Sequence, residues 1–226
     1  MTKFRGRAMR SPLAYPGMKI GLFGGSFDPA HSGHLHVAET ALRRLGLDQV
    51  WWLVTPQNPL KPRSRPLLAR MSSAAAITRG TRMVVTDIES RLGVRYSADT
   101  IRALKRRSPG VRFVWIMGGD NLRGFVRWRR WRDIMHAVPI AIVARERIAS
   151  KSLDAMAFAQ FARHRVAMCA ARTLPGTAAP AWTYISGHLD PASSTAIREQ
   201  ASARKSAPSD SGAHVLKSEL RRRKKD

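Results

Sequence analysis

Apolar residues in this chain follow two alternating patterns: short continuous blocks, and longer stretches in which they return every three or four positions. The blocks predict buried strands at Lys19–Phe23, Gln49–Val54, Met83–Val85, Val111–Met117 and Pro139–Ala144. The periodic stretches predict helices from His34 through Val37, Leu42 and Leu45 to Gly46, and over Leu67–Ile77, Ser97–Arg107 and Leu153–Arg163. Ser97 stands where a helix cap would, with Thr100 in the first turn. The Pro-rich TPQNPLKPRSRP, Ser108-Pro109-Gly110 and residues 171–181 read as connections, and 201–214, rich in Ala and Ser, as a flexible segment. Strands alternating with helices predict an α/β fold, an open doubly wound and mostly parallel sheet covered on both faces. Its first crossover should be right-handed and its ligand crevice should lie at the carboxyl ends of the strands. No internal repeat is visible.

Two stretches of unusual composition follow strands on that side. In KIGLFGGSFDPAHSGHL, from Lys19 to Leu35, Gly24-Gly25 allows a tight backbone turn without a Cβ clash, and His31 and His34 are spaced H-x-G-H around Gly33 at a helix entry. The unpaired N–H groups of a helix start suit an anion. Imidazoles donate hydrogen bonds and add charge when protonated, so these two suit phosphate oxygens whose charge rises during transfer. Taken alone, Gly24-Gly25 is an ordinary turn, and His31, His34 and His36 could form a metal cluster, although no cysteine or H-E-x-x-H pattern supports one. The second stretch, GGDNLRGFVRWRRWRDI from Gly118 to Ile134, is dense in Trp and Arg. Trp128 can stack on a planar heteroaromatic ring and Asp120 can accept from a ribose hydroxyl or base edge. Trp128 and Trp131, three apart, can equally form a stripe that packs one helical face. Trp51 and Trp52 sit in a strand and read as structural, at least one of them against the helical layer.

A third cluster, SSTAIR, spans Ser193–Arg198. Ser193, Ser194 or Thr195 can cap the helix that Ala196 begins, and Arg198 falls on the same face as Thr195, where it can fork two donors onto a leaving phosphate. As a lone pattern it is a capped helix with a solvated arginine.

Composition narrows these possibilities. A chain of 226 residues that is 44% hydrophobic is not wholly disordered and builds a core, as one domain with appendages. Its one cysteine, Cys169, permits no internal disulfide, fits a reducing, cytoplasmic compartment and reads as a small core residue rather than a nucleophile. No apolar run approaches the roughly 18 residues of a membrane span. The start, MTKFRGRAMRSPLAYPG, is basic without an apolar core, so it reads as an extension ahead of a possible alternative start at Met18 rather than a secretory signal. The net charge of +25 favours polyanions; residues 1–17 and 199–226 carry +4 each, which leaves most of the excess in the middle. Many of these arginines read as a solvated face, and ELRRRKKD at the end as a tail able to touch nucleic acid nonspecifically. Neither G-x-G-x-x-G nor G-K-[ST] is present, which disfavours hydride transfer and Walker-type ATP hydrolysis.

Together, GLFGGSFDPAHSGH, PQNPLK, YSADTIRAL, IMGGDNLRGFVRW and SSTAIR resemble the bacterial nicotinate-nucleotide adenylyltransferase family, within the nucleotidyltransferase superfamily that shares H-x-G-H with class I aminoacyl-tRNA synthetases. The resemblance covers Met18 to Gln200, dividing the chain into a basic extension (1–17), a Rossmann-like nucleotidyltransferase domain (18–200) and a basic flexible tail (201–226). It implies that Gly24, Gly25, Ser26 and Phe27 line an ATP site whose phosphates meet His31 and His34. Ser194, Thr195 and Arg198 would complete that site from across the crevice, with His31, His34 and Arg198 catalytic. It also implies that Trp128 lies against a pyridine ring, Asp120 beside nucleotide groups, and Tyr96 and Ser97 near the mononucleotide. Two positions depart from the family pattern: Tyr96-Ser97 replaces the usual Tyr-Thr, keeping the hydroxyl but losing a methyl, and Pro191-Ala192 precedes SSTAIR in place of an Ile-containing form.

The implied reaction joins ATP and nicotinate mononucleotide to give deamido-NAD and pyrophosphate, with Mg2+ carried on the phosphates and no metal held by protein side chains. Acceptors such as nicotinamide mononucleotide or phosphopantetheine share the fold expectation. A basic RNA-binding protein without catalysis is the alternative that the charge alone suggests.

Overall fold

The computed structural model describes residues 12–56, 64–144 and 156–186, all within the first of two compact units, Met1–Ser194; the second, Thr195–Asp226, lies outside the described residues. Six strands, β1 (Lys19–Gly25), β2 (Gln49–Val54), β3 (Met83–Thr86), β4 (Arg112–Gly118), β5 (Ile140–Val143) and β6 (Trp182–Ile185), form one sheet in the order β3-β2-β1-β4-β5-β6. Every neighbouring pair is parallel. The order reverses between β1 and β4, and in such sheets ligands bind at the carboxyl ends of the strands flanking the reversal.

Strand β2 shows why both faces are covered. Trp51 joins a cluster with Ile20, Leu22, Trp115 and Ile134, whereas Trp52 joins the opposite cluster with Phe23, Val37, Leu45 and Met71. Successive side chains of a strand point to opposite faces, so an apolar residue at both parities requires a packing layer on each side. Helices α1 (Ser32–Arg44) and α2 (Leu67–Ile77) supply one layer. Helices α3 (Ile88–Leu92), α4 (Ser97–Arg107), α5 (Trp131–Ala137) and α6 (Met156–Gln160) supply the other. In α1 the buried Val37, Ala38, Ala41 and Leu42 form a stripe one turn apart, and Arg43 and Arg44 close the last turn, where cations complement the helix dipole.

Several expectations are corrected. Ser97 does not cap α4; it is the first helical residue, after an extended Tyr96 that occupies the cap position with no side-chain cap hydrogen bond. Gly24 and Gly25 are not a turn but the last two residues of β1, because the ladder to β2 continues through Leu53 and Val54. Residues 168–176 form a 3-10 helix where a loop was expected to begin, since Ala171 and Leu174 are buried against the α1 layer. Cys169, on that element, is exposed rather than in the core. The described part of the helix expected over Leu153–Arg163 is α6, followed by a separate 3-10 turn at Ala162–His164. The short α3 and β6 had no counterpart in the sequence-based expectations.

Candidate active site

The end of β1 is crowded by two aromatic rings, which explains its glycines. A Cβ on Gly24 would lie 2.7 Å from Cη2 of Trp115, and one on Gly25 would lie 2.9 Å from Cζ of Phe27. The chain then turns at Phe27, whose φ of 47° is in the left-handed region that L side chains seldom adopt. Its ring is buried, stacked on Trp52 at 4.7 Å and edge-on to Phe23 at 5.4 Å. Aromatic packing on both sides thus holds a conformation that costs backbone energy.

That corner leads to His31, extended at the cap position of α1, and to His34 one turn on. Their rings lie 3.8 Å apart, and His34 also meets the edge of Phe27 at 5.0 Å. The corner is braced by Arg70 of α2, which is 1% exposed. Its Nε donates to the carbonyl of Arg65 at 2.8 Å, Nη1 to those of Ser26 and Thr55 at 2.8 Å, and Nη2 to that of Pro56 at 2.7 Å. One guanidinium therefore ties the ends of β1 and β2 to the segment entering α2. Beside it, burial alone would raise the Asp28 carboxyl, but hydrogen bonds from the Arg65 side chain and backbone, with the charges of Arg65 and Arg70, hold it below its ordinary value.

Strand β4 supplies the facing wall. Trp115 is buried, and Gly118 leads into a 3-10 turn, Gly119–Asn121, that carries an exposed Asp120. After a second 3-10 turn, Phe125–Arg127, Trp128 is extended and sits edge-on to Trp115 at 6.0 Å and to Phe125 at 5.4 Å. The two tryptophans of this stretch separate: Trp131 starts α5 and is buried in the core, while Trp128 is half-buried at the cavity. The turn between α3 and α4 forms the third wall, where the Arg129 guanidinium lies over the Tyr96 ring at 4.7 Å.

These walls enclose a cavity of about 550 Å³, within the usual range for a small-molecule site. Gly24, Gly25, Ser26, Phe27, His34, Tyr96, Ser97, Asp120 and Trp128 all line it; His31 is buried next to His34 and is not on the lining. Ser194, Thr195 and Arg198 lie outside the described residues, as does most of the Pro-rich PQNPLK segment. Arg95, Arg127 and Arg129, all exposed, add positive charge to the lining, which suits anionic ligands. Among the described residues no group of three or more His, Cys, Asp or Glu could hold a metal ion, and no helix is long and apolar enough to cross a membrane.

Residues 22–200 match the family described as cytidylyltransferase-like. Over 183 residues the chain is 53% identical to the probable nicotinate-nucleotide adenylyltransferase of a Caulobacter species, a match covering 80% of this chain and 97% of that one. The chain belongs to the nicotinate-nucleotide adenylyltransferase family. The probable nicotinate-nucleotide adenylyltransferase of Roseobacter denitrificans is 49% identical over 192 residues, covering 84% and 96%. The solved Plasmodium falciparum nicotinic acid mononucleotide adenylyltransferase complexed with NaAD shares the fold at a TM-score of 0.61 and 17% identity, covering 80% of this chain and 83% of that one.

In this member of the nicotinate-nucleotide adenylyltransferase family, sequence reasoning missed Thr55, Glu89, Trp115 and the cation at Arg129. Trp115 read as one more apolar residue of a strand. Glu89 falls in a five-residue helix too short to show a period, although Gly93, at φ 63°, marks where that helix stops.

Proposed function

We propose that the protein transfers the adenylyl group of ATP to nicotinate mononucleotide, giving deamido-NAD and pyrophosphate. What carries the proposal is the convergence on one cavity of Gly24–Phe27 and His34 with Tyr96, Ser97 and Trp128, in a chain 53% identical to a probable nicotinate-nucleotide adenylyltransferase. An oxygen of the mononucleotide's 5′-phosphate attacks the α-phosphorus of ATP in line, and the bond from that phosphorus to the bridging oxygen breaks as pyrophosphate leaves. A phosphate monoester is largely ionised near neutral pH, so the step needs neither a protein nucleophile nor a general base. Positioning and charge neutralisation remain for the protein.

In this assignment the β1 corner and the start of α1 take the triphosphate. His34 donates from the cavity wall, and His31, packed against it, sets its orientation and contributes a second imidazole. Trp128 offers an aromatic face to the pyridine ring, Tyr96 and Ser97 border the mononucleotide, and Asp120 at the turn after β4 accepts from hydroxyls. Ser194, Thr195 and Arg198 would close the phosphate site and balance charge on pyrophosphate. Mg2+ carried in on ATP would supply further charge neutralisation at the phosphates. The nucleotidyltransferase domain is assigned to 18–200, between a basic extension and a basic tail able to contact nucleic acid, and the cytoplasm is the compartment that a single exposed thiol fits.

Purified protein incubated with ATP, Mg2+ and one acceptor at a time tests the assignment. Pyrophosphate and dinucleotide are expected with nicotinate mononucleotide in preference to nicotinamide mononucleotide and phosphopantetheine; turnover with phosphopantetheine alone refutes it. His34→Ala should lower turnover on the order of 10²-fold, as expected for losing one preorganised donor to an anionic transition state. Near-normal turnover would remove His34 from its role.

A further inference from the structure

Glu89 is a carboxylic acid in the wall of the cavity for which the proposed reaction has no use. It is 2% exposed, yet its helix α3 has only one turn and its residue is part of the lining. The hydroxyl of Thr100, itself fully buried in the first turn of α4, donates to Glu89 Oε1 at 3.0 Å and lies 3.3 Å from the carbonyl of Tyr96. The second oxygen, Oε2, is shielded from solvent with no hydrogen-bond partner among the described residues, and the hydroxyl of Thr55, just past β2, is a further polar neighbour of the carboxyl. The carboxyl therefore stands between the end of β2 and the Tyr96–Ser97 corner, two segments that border the cavity.

We propose that Glu89 is a positioning residue for the acceptor mononucleotide: through Thr100 its carboxyl fixes the Tyr96–Ser97 corner against the end of β2, and the clamp holds in the protonated state. The proposal rests on the function proposed above. A neutral carboxyl needs no counter-ion and has both an acceptor and a donor to share between two hydroxyls, whereas a carboxylate there has only acceptors and a buried charge. The charged groups on the surrounding elements are engaged elsewhere: Asp87 on α3 with Arg91, and Asp99 on α4 with Arg102 and Arg130. Arg95 lies exposed in the turn between these helices, the Arg129 guanidinium lies over the Tyr96 ring, and His34, Asp120 and Arg127 belong to the other walls. Burial therefore governs this acid and pushes it up to about 7, against the opposing pull of the Thr100 and Thr55 hydroxyls. Near neutral pH the clamp is poised to titrate.

The test is the pH dependence of kinetics for wild type, Glu89→Gln and Glu89→Ala, with KM for the acceptor and for ATP measured separately. Glu89→Ala should raise the acceptor KM about tenfold or more, the scale of a buried hydrogen bond left unmade, while leaving the KM for ATP within about twofold. Glu89→Gln, which keeps a donor and an acceptor without a charge, should recover most of that loss at pH 6. It should also remove a rise in acceptor KM that wild type shows through pH 7. The acceptor's own phosphate titrates near pH 6 in every variant, so the difference between profiles isolates Glu89. Equal rises in both KM values, or a wild-type pH profile in Glu89→Gln, overturns the proposal; a Glu89→Ala protein that does not fold leaves the Gln profile to decide. Running the series on whichever acceptor turns over separates the two ideas. Inactivity with nicotinate mononucleotide refutes the proposed function, and an unchanged acceptor KM on the active substrate refutes the positioning role.

Discussion

Gly24→Ala adds a single methyl at the end of β1 and tests whether the cavity depends on the close approach of Trp115. The new Cβ would lie 2.7 Å from Trp115 Cη2 and 3.0 Å from Cζ2, where ordinary van der Waals contact needs 3.4 Å or more. The indole must therefore move by about 0.7 Å or more, or the strand must. Trp115 is 1% exposed and pairs edge-on with Trp128, so the displaced ring has no free space except toward the cavity. Overpacking of this kind costs about 2 kcal/mol, which lowers the melting temperature of a domain this size by roughly 4–8 °C. Because Trp128 shifts with its partner, kcat/KM should fall by one to two orders of magnitude, with the acceptor KM rising. Thermal unfolding and steady-state kinetics on Gly24→Ala, Trp115→Phe and the double variant form a cycle. Phenylalanine lacks the ring atoms that the methyl strikes, so the double variant should be more stable than the sum of the single changes predicts. Wild-type melting and acceptor KM in Gly24→Ala, or strict additivity in the cycle, would refute the close-approach explanation.

Arg70→Met, which preserves much of the side chain's volume, should destabilise the fold by about 3 kcal/mol or more in urea unfolding, because the carbonyls of Ser26, Arg65, Thr55 and Pro56 lose their common donor inside the protein. A loss below about 1 kcal/mol would mean water replaces the guanidinium. Stability should also depend on Glu89: its acid lies at about 7 in the folded protein against an ordinary 4.5, so the folded state binds more protons between those values and stability falls as pH rises through that window. The full loss, about 3 kcal/mol, is present above pH 7, and Glu89→Gln should abolish it. Urea midpoints at pH 5 and pH 8 for the two proteins measure this; a constant difference between them refutes it.

The parallel sheet and its long helices were legible because their signals are periodic: α2 and α4 fall at Leu67–Ile77 and Ser97–Arg107, as the spacing of apolar residues predicts. The cavity residues were legible for a different reason, since most sit in motifs at strand ends. What escaped depends on tertiary context. Nothing local distinguishes Arg70 from the many solvated arginines, and its burial follows from three backbone segments converging on one point. Gly24-Gly25 looked like a turn because glycine commonly supplies one; which atoms would meet a Cβ there becomes apparent only when Trp115 and Phe27 are placed. Ser97 resembled a cap because Ser often is one, yet the extended residue is Tyr96, one position earlier.

The neighbouring glycines also show how the site is divided. Gly24 makes room for Trp115, which packs in the layer of α3, α4 and α5, while Gly25 makes room for Phe27, which packs in the layer of α1 and α2. The histidine corner is braced from the second of these layers by Arg70, and the Tyr96–Ser97 corner from the first by Glu89 and Thr100. Each half of the cavity therefore has its own buried polar brace, separated by the sheet. Damage should partition accordingly: loss of Arg70 disturbs the histidine corner first, and loss of Glu89 the Tyr96–Ser97 corner. A change at Gly24 or Gly25, on the strand that both layers share, strikes one layer or the other depending on the parity of the residue.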